Sequence, residues 1–415
     1  MEANVSKYTN AIGSGKQAIT QRQKRKGGRG MREGWEYKKL GEVAIYPNKR
    51  MSLTNISGQQ YVGVETLVKD RGGVAFSEEL PNVDTAIEFL ENDILIGNIR
   101  PYLKKIWKAD RHGASSGDVV NIRIAENFKG RLDSSFLYKV LSSDSFFEYD
   151  NSNTHGAKMP RGDRKAIAEF KIPIPPLSTQ QSIVSELDKI NELIRLKKEQ
   201  LKDYDNLAQS IFYEMFGDPV ANDKKWDVES LGKVCDVRDG THDSPQYLQE
   251  SPYILITSKN LVNGKIDYSN VNYISEEDYI AINKRSQVDD GDIIMAMIGT
   301  IGNPIIVKLE ECKFCIKNVA LIKFFNESLV SNKYIHSLLN NDSYLSFIKS
   351  QNKGGTQKFV ALGTIRKLPI PIPPLSFQQQ FAQRIELIEQ QKEEIKSTIA
   401  DLETLLASRM QYWFG

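Results

Sequence analysis

The chain has 415 residues, of which 40% are hydrophobic and 26% are charged. This composition is ordinary for a soluble globular protein and excludes bulk disorder, collagen and a coiled coil throughout, while the length predicts roughly two to four structural units. The 55 Lys and Arg residues nearly balance the 53 Asp and Glu residues, which gives a formal net charge of +2.

Residues 1–30 hold seven basic residues and one acid, which leaves 48 basic and 52 acidic residues in the rest of the chain. The Gly, Lys, Arg and Gln content of this segment predicts a disordered basic tail. Because the remainder is slightly acidic, any polyanion that it binds must meet a local basic groove. We expect a cytoplasmic protein with no membrane partner, since no segment has the length and apolarity of a membrane span or a signal peptide, and three cysteines cannot form a disulfide framework.

Residues 31–170 predict a mixed domain of strands and loops. Tyr61–Val64 and Asp93–Ile96 have the composition of strands, and a short amphipathic helix carries Phe136, Leu137, Val140 and Leu141 on one face. Basic and polar side chains occupy the predicted loops: Asn98, Arg100, Lys104, Lys105, Ser115, Ser116, His155, Lys158 and Arg161. Each is a candidate for nucleic-acid contact, because Arg and Lys neutralise phosphates while Asn and Arg read base edges. A solvated surface role is the alternative for each of them.

Residues 171–217 begin with the segment Ile172-Pro-Ile-Pro-Pro-Leu-Ser178, whose prolines exclude helix and predict an extended lead-in. Ser178 and Gln181 then match a capping box, with Ser178 as the N-cap of a long helix. Apolar side chains recur along this helix at alternating spacings of three and four, as in a coiled coil. The predicted stripe contains Ile183, Leu187, Ile190, Ile194, Leu201 and Ile211, and Lys197 interrupts it.

Residues 218–368 predict a second mixed domain. Tyr253–Thr257 and Asp292–Met295 have strand character, and Tyr334, Ile335, Leu338 and Leu339 line one helix face. The candidates for nucleic-acid contact here are Thr300, Asn303, Lys317, Asn318, Lys353, Thr356, Gln357 and Lys358. The glycines inside the last group permit close approach of the backbone to a phosphate. Cys312-Lys-Phe-Cys315 lacks further ligands for zinc, so we expect buried thiols and no metal.

Residues 369–415 repeat the lead-in and the helix at an offset of 198 residues, with Ser376 and Gln379 in the capping positions. The second stripe contains Phe381, Ile385, Ile388, Ile395, Ile399, Leu402 and Leu406, and Lys392 and Arg409 lie off the pattern. Each helix has roughly 38 residues and a length of about 57 Å. We predict that the two helices pack on each other in antiparallel orientation; the alternative is that each packs on its own domain.

The duplication continues outside the lead-ins. Phe216-Gly217 returns as Phe414-Gly415, and Trp35-x4-Leu-Gly41 returns as Trp226-x4-Leu-Gly232. Two copies of one unit of about 190 residues are too few for a solenoid and favour an internal pseudo-two-fold repeat. No catalytic constellation stands out: there is no His-Glu-x-x-His motif, Gly13-Ser-Gly-Lys16 lacks the first glycine of a phosphate-binding loop, and no Gly-rich S-adenosylmethionine loop is present.

The duplicated order of domain, Pro-Pro-Leu-Ser lead-in and heptad helix resembles the specificity (S) subunit of type I restriction-modification systems over about residues 31–415. The resemblance implies an α+β fold with two mixed α/β target recognition domains, at 31–170 and 218–368. They are separated by two conserved helical spacers, at 171–217 and 369–415, which pair as an antiparallel coiled coil. The predicted tail at 1–30 departs from the family pattern.

The resemblance also implies a function without catalysis in this chain. Each recognition domain reads one half of a bipartite site in double-stranded DNA, and the helices set the distance between the halves. Two methyltransferase (M) subunits, which carry S-adenosylmethionine, and restriction (R) subunits are the implied partners. Two alternatives stay open: a fused restriction or methyltransferase polypeptide with unrecognised motifs, and a coiled-coil scaffold that binds no DNA.

Overall fold

The structure is a computed structural model that describes Arg32 and residues 34–54, 56–309, 313–351 and 359–415. Two compact units are present. Unit 1 comprises the described residues up to Arg195 together with Ala400–Gly415, and unit 2 comprises Leu196–Ile399. The predicted tail at 1–30 lies outside the described residues.

Unit 1 combines short strands with helices of one to three turns and the first long helix. Its strands are β1 (Glu36–Lys39), β2 (Ala44–Ile45), β3 (Arg50–Ser52), β4 (Tyr61–Val62), β5 (Thr85–Phe89), β6 (Ile94–Gly97), β7 (Ile106–Lys108), β8 (Gly113–Ser115), β9 (Val119–Ile124), β10 (Thr154–His155), β11 (Arg161–Gly162) and β12 (Lys171–Ile174). Its helices are α1 (Leu40–Val43), α2 (Ser134–Leu141), α3 (Asp144–Ser152), α4 (Arg164–Glu169) and the first part of α5 (Leu177–Phe216).

Two four-stranded sheets form the centre of unit 1, in the orders β2-β9-β6-β7 and β3-β5-β8-β4. Strand β6 pairs antiparallel with β9, which sets Ile94 opposite Ile122 and Ile96 opposite Val120. All four side chains are buried against α2, whose buried residues are the predicted Phe136, Leu137, Val140 and Leu141. The apolar side chains of β6, β9 and α2 therefore form one hydrophobic core.

Unit 2 repeats these features with different loops. Its strands are β13 (Asp227–Ser230), β14 (Cys235–Asp239), β15 (Tyr253–Thr257), β16 (Leu261–Val262), β17 (Lys265–Ile266), β18 (Asn272–Tyr273), β19 (Ile293–Ala296), β20 (Gly302–Ile306), β21 (Lys313–Lys317), β22 (Val319–Phe324) and β23 (Pro369–Ile372). Its helices are α6 (Leu231–Val234), α7 (Glu276–Ser286), α8 (Asn332–Leu339), α9 (Asp342–Ser350), α10 (Leu362–Arg366) and α11 (Leu375–Phe414), the last of which continues into unit 1.

The sheet β14-β22-β19-β20 has the same strand order as β2-β9-β6-β7 of unit 1. A second sheet, β18-β15-β21, contains a parallel pair between β15 and β21, just as β4 and β8 pair in parallel in unit 1. The predicted helix face at Tyr334, Ile335, Leu338 and Leu339 is fully buried in α8. The internal repeat of the sequence is therefore a repeat of sheet order as well.

The two Ile-Pro lead-ins are extended, as their prolines predict, and each pairs with the first strand of its own unit. Strand β12 pairs antiparallel with β1, and β23 pairs antiparallel with β13. Each pair forms a sheet of only two strands, in which a proline without an N–H group can face outward without breaking a ladder. The first strand of each unit therefore lies beside the strand that leads into its long helix.

The predicted capping boxes are wrong. Helix α5 begins at Leu177 and α11 at Leu375, one residue before the serines that were predicted to cap them. The carbonyl of Pro176 accepts the first helical hydrogen bonds, from the backbone of Thr179 and Gln180. Ser178 and Ser376 therefore lie in the first turn of each helix, and Pro176 and Pro374, whose carbonyls accept the first helical hydrogen bonds, occupy the cap positions.

A buried glutamine at the start of each long helix anchors that helix to its unit. Gln180 is fully buried; its amide donates to the carbonyls of Arg131 and Pro175 at 2.8 Å, and its oxygen accepts from the Asp133 N–H at 2.8 Å. Gln378 makes the same three hydrogen bonds in unit 2. Its partners there are the carbonyls of Leu329 and Pro373 and the N–H of Ser331.

In unit 1 the beginning of α5 contacts the end of α11. Ile183 and Leu187 are buried in a cluster with Phe414, and Leu406 packs against this cluster. Glu186 accepts hydrogen bonds from Arg409 and, at 3.2 Å, from the indole of Trp413. Trp413 also stacks on Trp35, with ring centroids 6.2 Å apart.

In unit 2 the end of α5 contacts the beginning of α11. Phe212 packs edge-on against Phe381 at a centroid distance of 5.8 Å. Lys392, which lies off the apolar pattern, forms ion pairs with Asp205 at 2.8 Å and Glu389 at 2.9 Å. Of the predicted stripe, the buried residues are Ile183, Leu187, Ile190, Ile194, Phe381, Ile385, Ile388, Ile395 and Ile399. The half-buried ones are Leu201, Ile211, Leu402 and Leu406.

Candidate nucleic-acid interface

Three loops of unit 1 meet at one end of its sheets. The segment after β6 is tied to the segment before β9 by a hydrogen bond from Asn98 N to Asp118 O at 2.9 Å. It is tied to the β10–β11 hairpin by bonds from Gly162 N to Asn98 O and from Arg100 N to Pro160 O, at 3.0 and 2.7 Å. Five of the predicted residues are thereby brought together: Asn98, Arg100, His155, Lys158 and Arg161. We call this group the unit 1 loop cluster.

The basic side chains of the unit 1 loop cluster are exposed. Arg161 lies 3.2 Å from the Asp118 carboxylate, and His155 lies 3.2 Å from Asp163. Arg100 has a positive φ of 53°. Among the described residues, neither its guanidinium nor the Lys158 ammonium has an ion-pair partner within 4 Å. These two cations are therefore available to a phosphate, while Arg161 and His155 are held in place by carboxylates.

The other four predicted residues of unit 1 have structural partners. Lys104 pairs with Asp144 at 2.6 Å, where Arg71 and Lys104 lower the pKa of the Asp144 carboxyl, and Lys105 donates to the Val64 carbonyl at 2.6 Å. Half-buried Ser116 accepts a hydrogen bond from Asp118 N. The inclusion of Ser115 is wrong: its side chain is fully buried and its hydroxyl donates to Asn121 Oδ1 at 3.0 Å, so it cannot reach a ligand.

A buried acid lies directly beneath the unit 1 loop cluster. Asp150 is 1% exposed, and among the described residues neither of its carboxylate oxygens nor Asn98 Oδ1 has a hydrogen-bond partner. Asp150 Oδ1 and Asn98 Oδ1 lie 2.5 and 2.9 Å from the point that a Cβ at Gly162 would occupy, so only glycine fits there. Burial raises the pKa of Asp150 to about 7. The neutral carboxyl is therefore the form that this buried site favours near and below neutral pH.

In unit 2 the predicted residues Lys317 and Asn318 lie next to the loop that follows β14. Thr241 forms a parallel bridge with Lys317, and the Lys317 ammonium donates to the Ser244 hydroxyl. Thr300 is exposed, whereas the Asn303 amide donates to the Leu261 carbonyl at 3.3 Å. Ile298 bridges to Phe359, as Ile99 bridges to Arg161 in unit 1. Lys353, Thr356, Gln357 and Lys358 lie outside the described residues.

A histidine that the sequence analysis did not select is held beside Asn318. His242 Nδ1 lies 2.8 Å from Asn318 Oδ1, and its Nε2 lies 2.8 Å from Asp239 Oδ2. Hydrogen bonds with Asn318 and with Asp239 raise the pKa of His242. The same Asp239 carboxylate pairs with Arg285 of α7. The Asp239-Gly240 pair at the end of a strand was the signal that could have pointed to this loop.

The described residues offer little that resembles reactive chemistry. Cys235 and Cys315 are buried, which raises the pKa of each thiol to about 12, while Cys312 lies outside the described residues. In the described part of the chain, no group of three or more His, Cys, Asp or Glu side chains is arranged to hold a metal ion. No helix there combines the length and apolarity needed to cross a membrane.

Comparison with known proteins gives the same result for both halves of the chain. A family model described as "Type I restriction modification DNA specificity domain" matches residues 32–203 and again residues 223–404. The MjaVIII type I restriction enzyme specificity subunit of Methanocaldococcus jannaschii is 22% identical over 90% of this chain and 92% of its own length. The EcoDI specificity subunit of Escherichia coli is 26% identical over 42% of this chain and 36% of its own length.

Two solved structures share the fold. A chain from a structure concerned with complex assembly and conformational transition of the type I R-M system has a TM-score of 0.61 at 20% identity, covering 93% of this chain and 99% of the other. The S subunit of the type I restriction-modification system from M. genitalium has a TM-score of 0.53 at 13% identity, with 94% and 98% covered.

Proposed function

The chain belongs to the family of type I restriction-modification specificity subunits, and from this premise we propose that it selects the DNA sequence on which such a complex acts. The observation that carries the proposal is the double match of the family model to two units that share a four-stranded sheet of the same strand order. One unit would read one half of a bipartite site in double-stranded DNA, and the second unit would read the other half.

We assign the recognition domains to residues 31–170 and 218–368. In the first, the exposed cations Arg100 and Lys158 contact phosphates, which supplies affinity without sequence preference. Asn98, Arg161 and His155 face the grooves from positions fixed by Asp118 and Asp163. In the second, Thr300, Asn303, Lys317 and Asn318 take these roles together with the loop that contains Lys353, Thr356, Gln357 and Lys358.

The helical segments 171–217 and 369–415 pair as an antiparallel coiled coil, which completes an internal pseudo-two-fold repeat. Support comes from each unit separately. The start of α5 contacts the end of α11 in unit 1, and the end of α5 contacts the start of α11 in unit 2. A pair of 40-residue helices has a length of about 60 Å, which exceeds one turn of DNA and suits a rigid spacer between two reading domains.

The chain itself performs no catalysis in this proposal. Two methyltransferase subunits that carry S-adenosylmethionine dock on it and methylate the selected site, and restriction subunits join that assembly in the cytoplasm. A specificity chain with a slightly acidic body leaves much of the nonspecific contact with DNA to such partners.

The test is co-expression of this chain with a type I methyltransferase (M) subunit from the same source, followed by sequencing of genomic methylation. We expect one bipartite motif, and we expect that replacing residues 218–368 by the matching domain of a relative changes only one half of the motif. A change in both halves, or methylation without a bipartite motif, would contradict the proposal. The isolated chain should transfer no methyl group from labelled S-adenosylmethionine.

A further inference from the structure

Asn318 and His242 are hydrogen-bonded neighbours in unit 2, with Asn318 Oδ1 2.8 Å from His242 Nδ1. Asn318 lies at a positive φ of 55° between β21 and β22, in the loop region where unit 2 is proposed to read DNA. Its amide has one end that only accepts hydrogen bonds and one end that only donates them. The end that faces the protein therefore decides which end is left for a ligand.

The His242 ring is held at both nitrogens by oxygen atoms. Asp239 Oδ2 lies 2.8 Å from Nε2, and Asn318 Oδ1 lies 2.8 Å from Nδ1. Because both partners are acceptors, the ring must donate from both nitrogens, which only the protonated imidazolium can do. In that state Asn318 Oδ1 is engaged and its NH₂ group is left for the ligand.

When His242 loses a proton, the hydrogen bond between His242 and Asn318 can be kept in only one way. The Asp239 carboxylate can accept but cannot donate, so the neutral ring keeps its remaining proton on Nε2. Nδ1 then becomes an acceptor, and Asn318 must turn its amide by half a rotation to offer an N–H group to it. The Oδ1 atom is left for the ligand instead.

The charged groups around the ring are few. Asp239 faces His242 from β14, Arg285 reaches the same carboxylate from α7, and Lys317 lies beside Asn318 with its ammonium on Ser244. Arg285 opposes protonation of the ring, while the hydrogen bonds with Asn318 and Asp239 outweigh it and raise the pKa of His242. The ring is 60% exposed and can exchange its proton with solvent.

We propose that His242 is a positioning residue for sequence readout, which sets whether Asn318 presents a donor or an acceptor to the second half-site; this rests on the proposed function. The donor form suits acceptors in the major groove, namely guanine O6 and N7, adenine N7 or thymine O4. The acceptor form suits the amino groups of adenine and cytosine. One base pair of the second half-site is therefore read differently by the two protonation states.

The experiment uses the complex of the full chain with its methyltransferase subunits. Binding is measured by competition among duplexes in which the second half-site is randomised, at about pH 5.5 and about pH 8.5, on either side of the ordinary histidine pKa. We expect the preference at one base pair to change roughly tenfold between the two conditions, which is within the range for one base contact. The first half-site should keep its preference.

Two variants make the test specific. His242→Asn replaces the ring by an amide that does not titrate between these pH values, so we expect one and the same base preference at both pH values. His112→Asn removes another exposed histidine, which pairs with Glu88 in unit 1, and it should leave the pH response intact. Thermal unfolding of both variants checks that they fold.

Two results would overturn the inference. One is specific binding of the wild-type complex with the same base preference at both pH values; the other is a pH response that persists in His242→Asn. Either leaves the proposed function in place. Absence of any bipartite preference at both pH values would instead overturn the proposed function, so the two failures are distinguishable.

Discussion

At the scale of single residues, the candidate interface depends on which polar groups have partners. Of the five Lys and Arg side chains predicted in unit 1 to contact nucleic acid, three already have partners within the protein. Lys104 pairs with Asp144, Arg161 pairs with Asp118, and Lys105 donates to a backbone carbonyl. Arg100 and Lys158 differ, because no described carboxylate lies near them. Fewer side chains in unit 1 are therefore available to bind a polyanion than the sequence predicts.

Replacement of Arg100 by alanine should weaken binding of the complex to its DNA site several-fold. If the guanidinium contacts a phosphate, the slope of the logarithm of the binding constant against the logarithm of salt concentration should fall by about one. Titrations at several salt concentrations measure both quantities. Lys129→Ala is the matched control, since Lys129 pairs with Glu126 outside the unit 1 loop cluster. Equal slopes for the wild type and Arg100→Ala would exclude the phosphate contact.

Replacement of Asp150 by asparagine should stabilise the protein at alkaline pH. The pKa of this carboxyl rises from its ordinary value to about 7 on folding, so the folded chain binds the proton more tightly and stability falls as pH rises toward 7. Asparagine has nearly the same size and shape as aspartate and never carries a charge. At pH above about 8 the variant should gain up to about 4 kcal/mol in free energy of unfolding, and near pH 4 the gain should vanish.

Urea unfolding across this pH range measures the Asp150 effect. Asp110→Asn serves as the control, because the Asp110 side chain is exposed and pairs only with the adjacent Arg111 among the described residues. It should unfold like the wild type at every pH. Equal stability of Asp150→Asn and the wild type at alkaline pH would show that the buried carboxyl costs nothing when ionised.

At the scale of elements, local patterns predicted most of the framework. The apolar runs at 94–96 and 293–295 are central strands, and the helix faces at Phe136 and Tyr334 are buried as expected. The sequence did not single out Gln180, although the pair Gln180-Gln181 is repeated. Its role depends on the carbonyl of Arg131 and the N–H of Asp133, which approach only after the fold forms. The contact between His242 and Asn318 could not be predicted for the same reason, since the two residues are distant in sequence.

Replacement of Gln378 by alanine should lower the free energy of unfolding by about 3 kcal/mol or more. The change leaves two carbonyls and the Ser331 N–H without partners in a buried site, and each such group costs about 1–3 kcal/mol. Chemical denaturation measures the loss. Gln379→Ala is the adjacent control, because Gln379 is exposed and should change stability little. A similar small effect for both variants would refute the anchoring role of Gln378.

At the scale of the whole molecule, the sequence duplication predicted two similar units but did not predict the boundaries between them. Each unit takes part of both long helices, so Leu196–Ile399 is continuous in the chain while unit 1 is assembled from two separated segments. Heptad spacing predicts which face of a helix is apolar. It does not predict against which unit each end of the helix packs. That information comes from particular side chains, such as Phe414 against Phe136 and Phe212 against Tyr334.

Shortening both helices should shorten the DNA spacer without changing either half-site. Deleting about seven residues, or two turns, from 183–215 and an equal length from 381–413 removes about 10 Å, which corresponds to roughly three base pairs of DNA. Seven residues are close to two whole turns, so each shortened helix keeps its apolar residues on one face. Sequencing of genomic methylation would give the new motif, and an unaltered spacer would contradict the role of the helices as a ruler.

The contact between Glu186 and Arg409 has a consequence for the order in which the protein is made. These residues are 223 positions apart, so the part of the cluster at Ile183 and Leu187 that Leu406 and Phe414 cover stays exposed on the ribosome until those residues have been synthesised. Unit 2, which is continuous, can complete its fold first. We therefore expect the second half to be able to fold before the first half is complete, with part of the hydrophobic surface of the first half exposed to chaperones or to aggregation in the meantime.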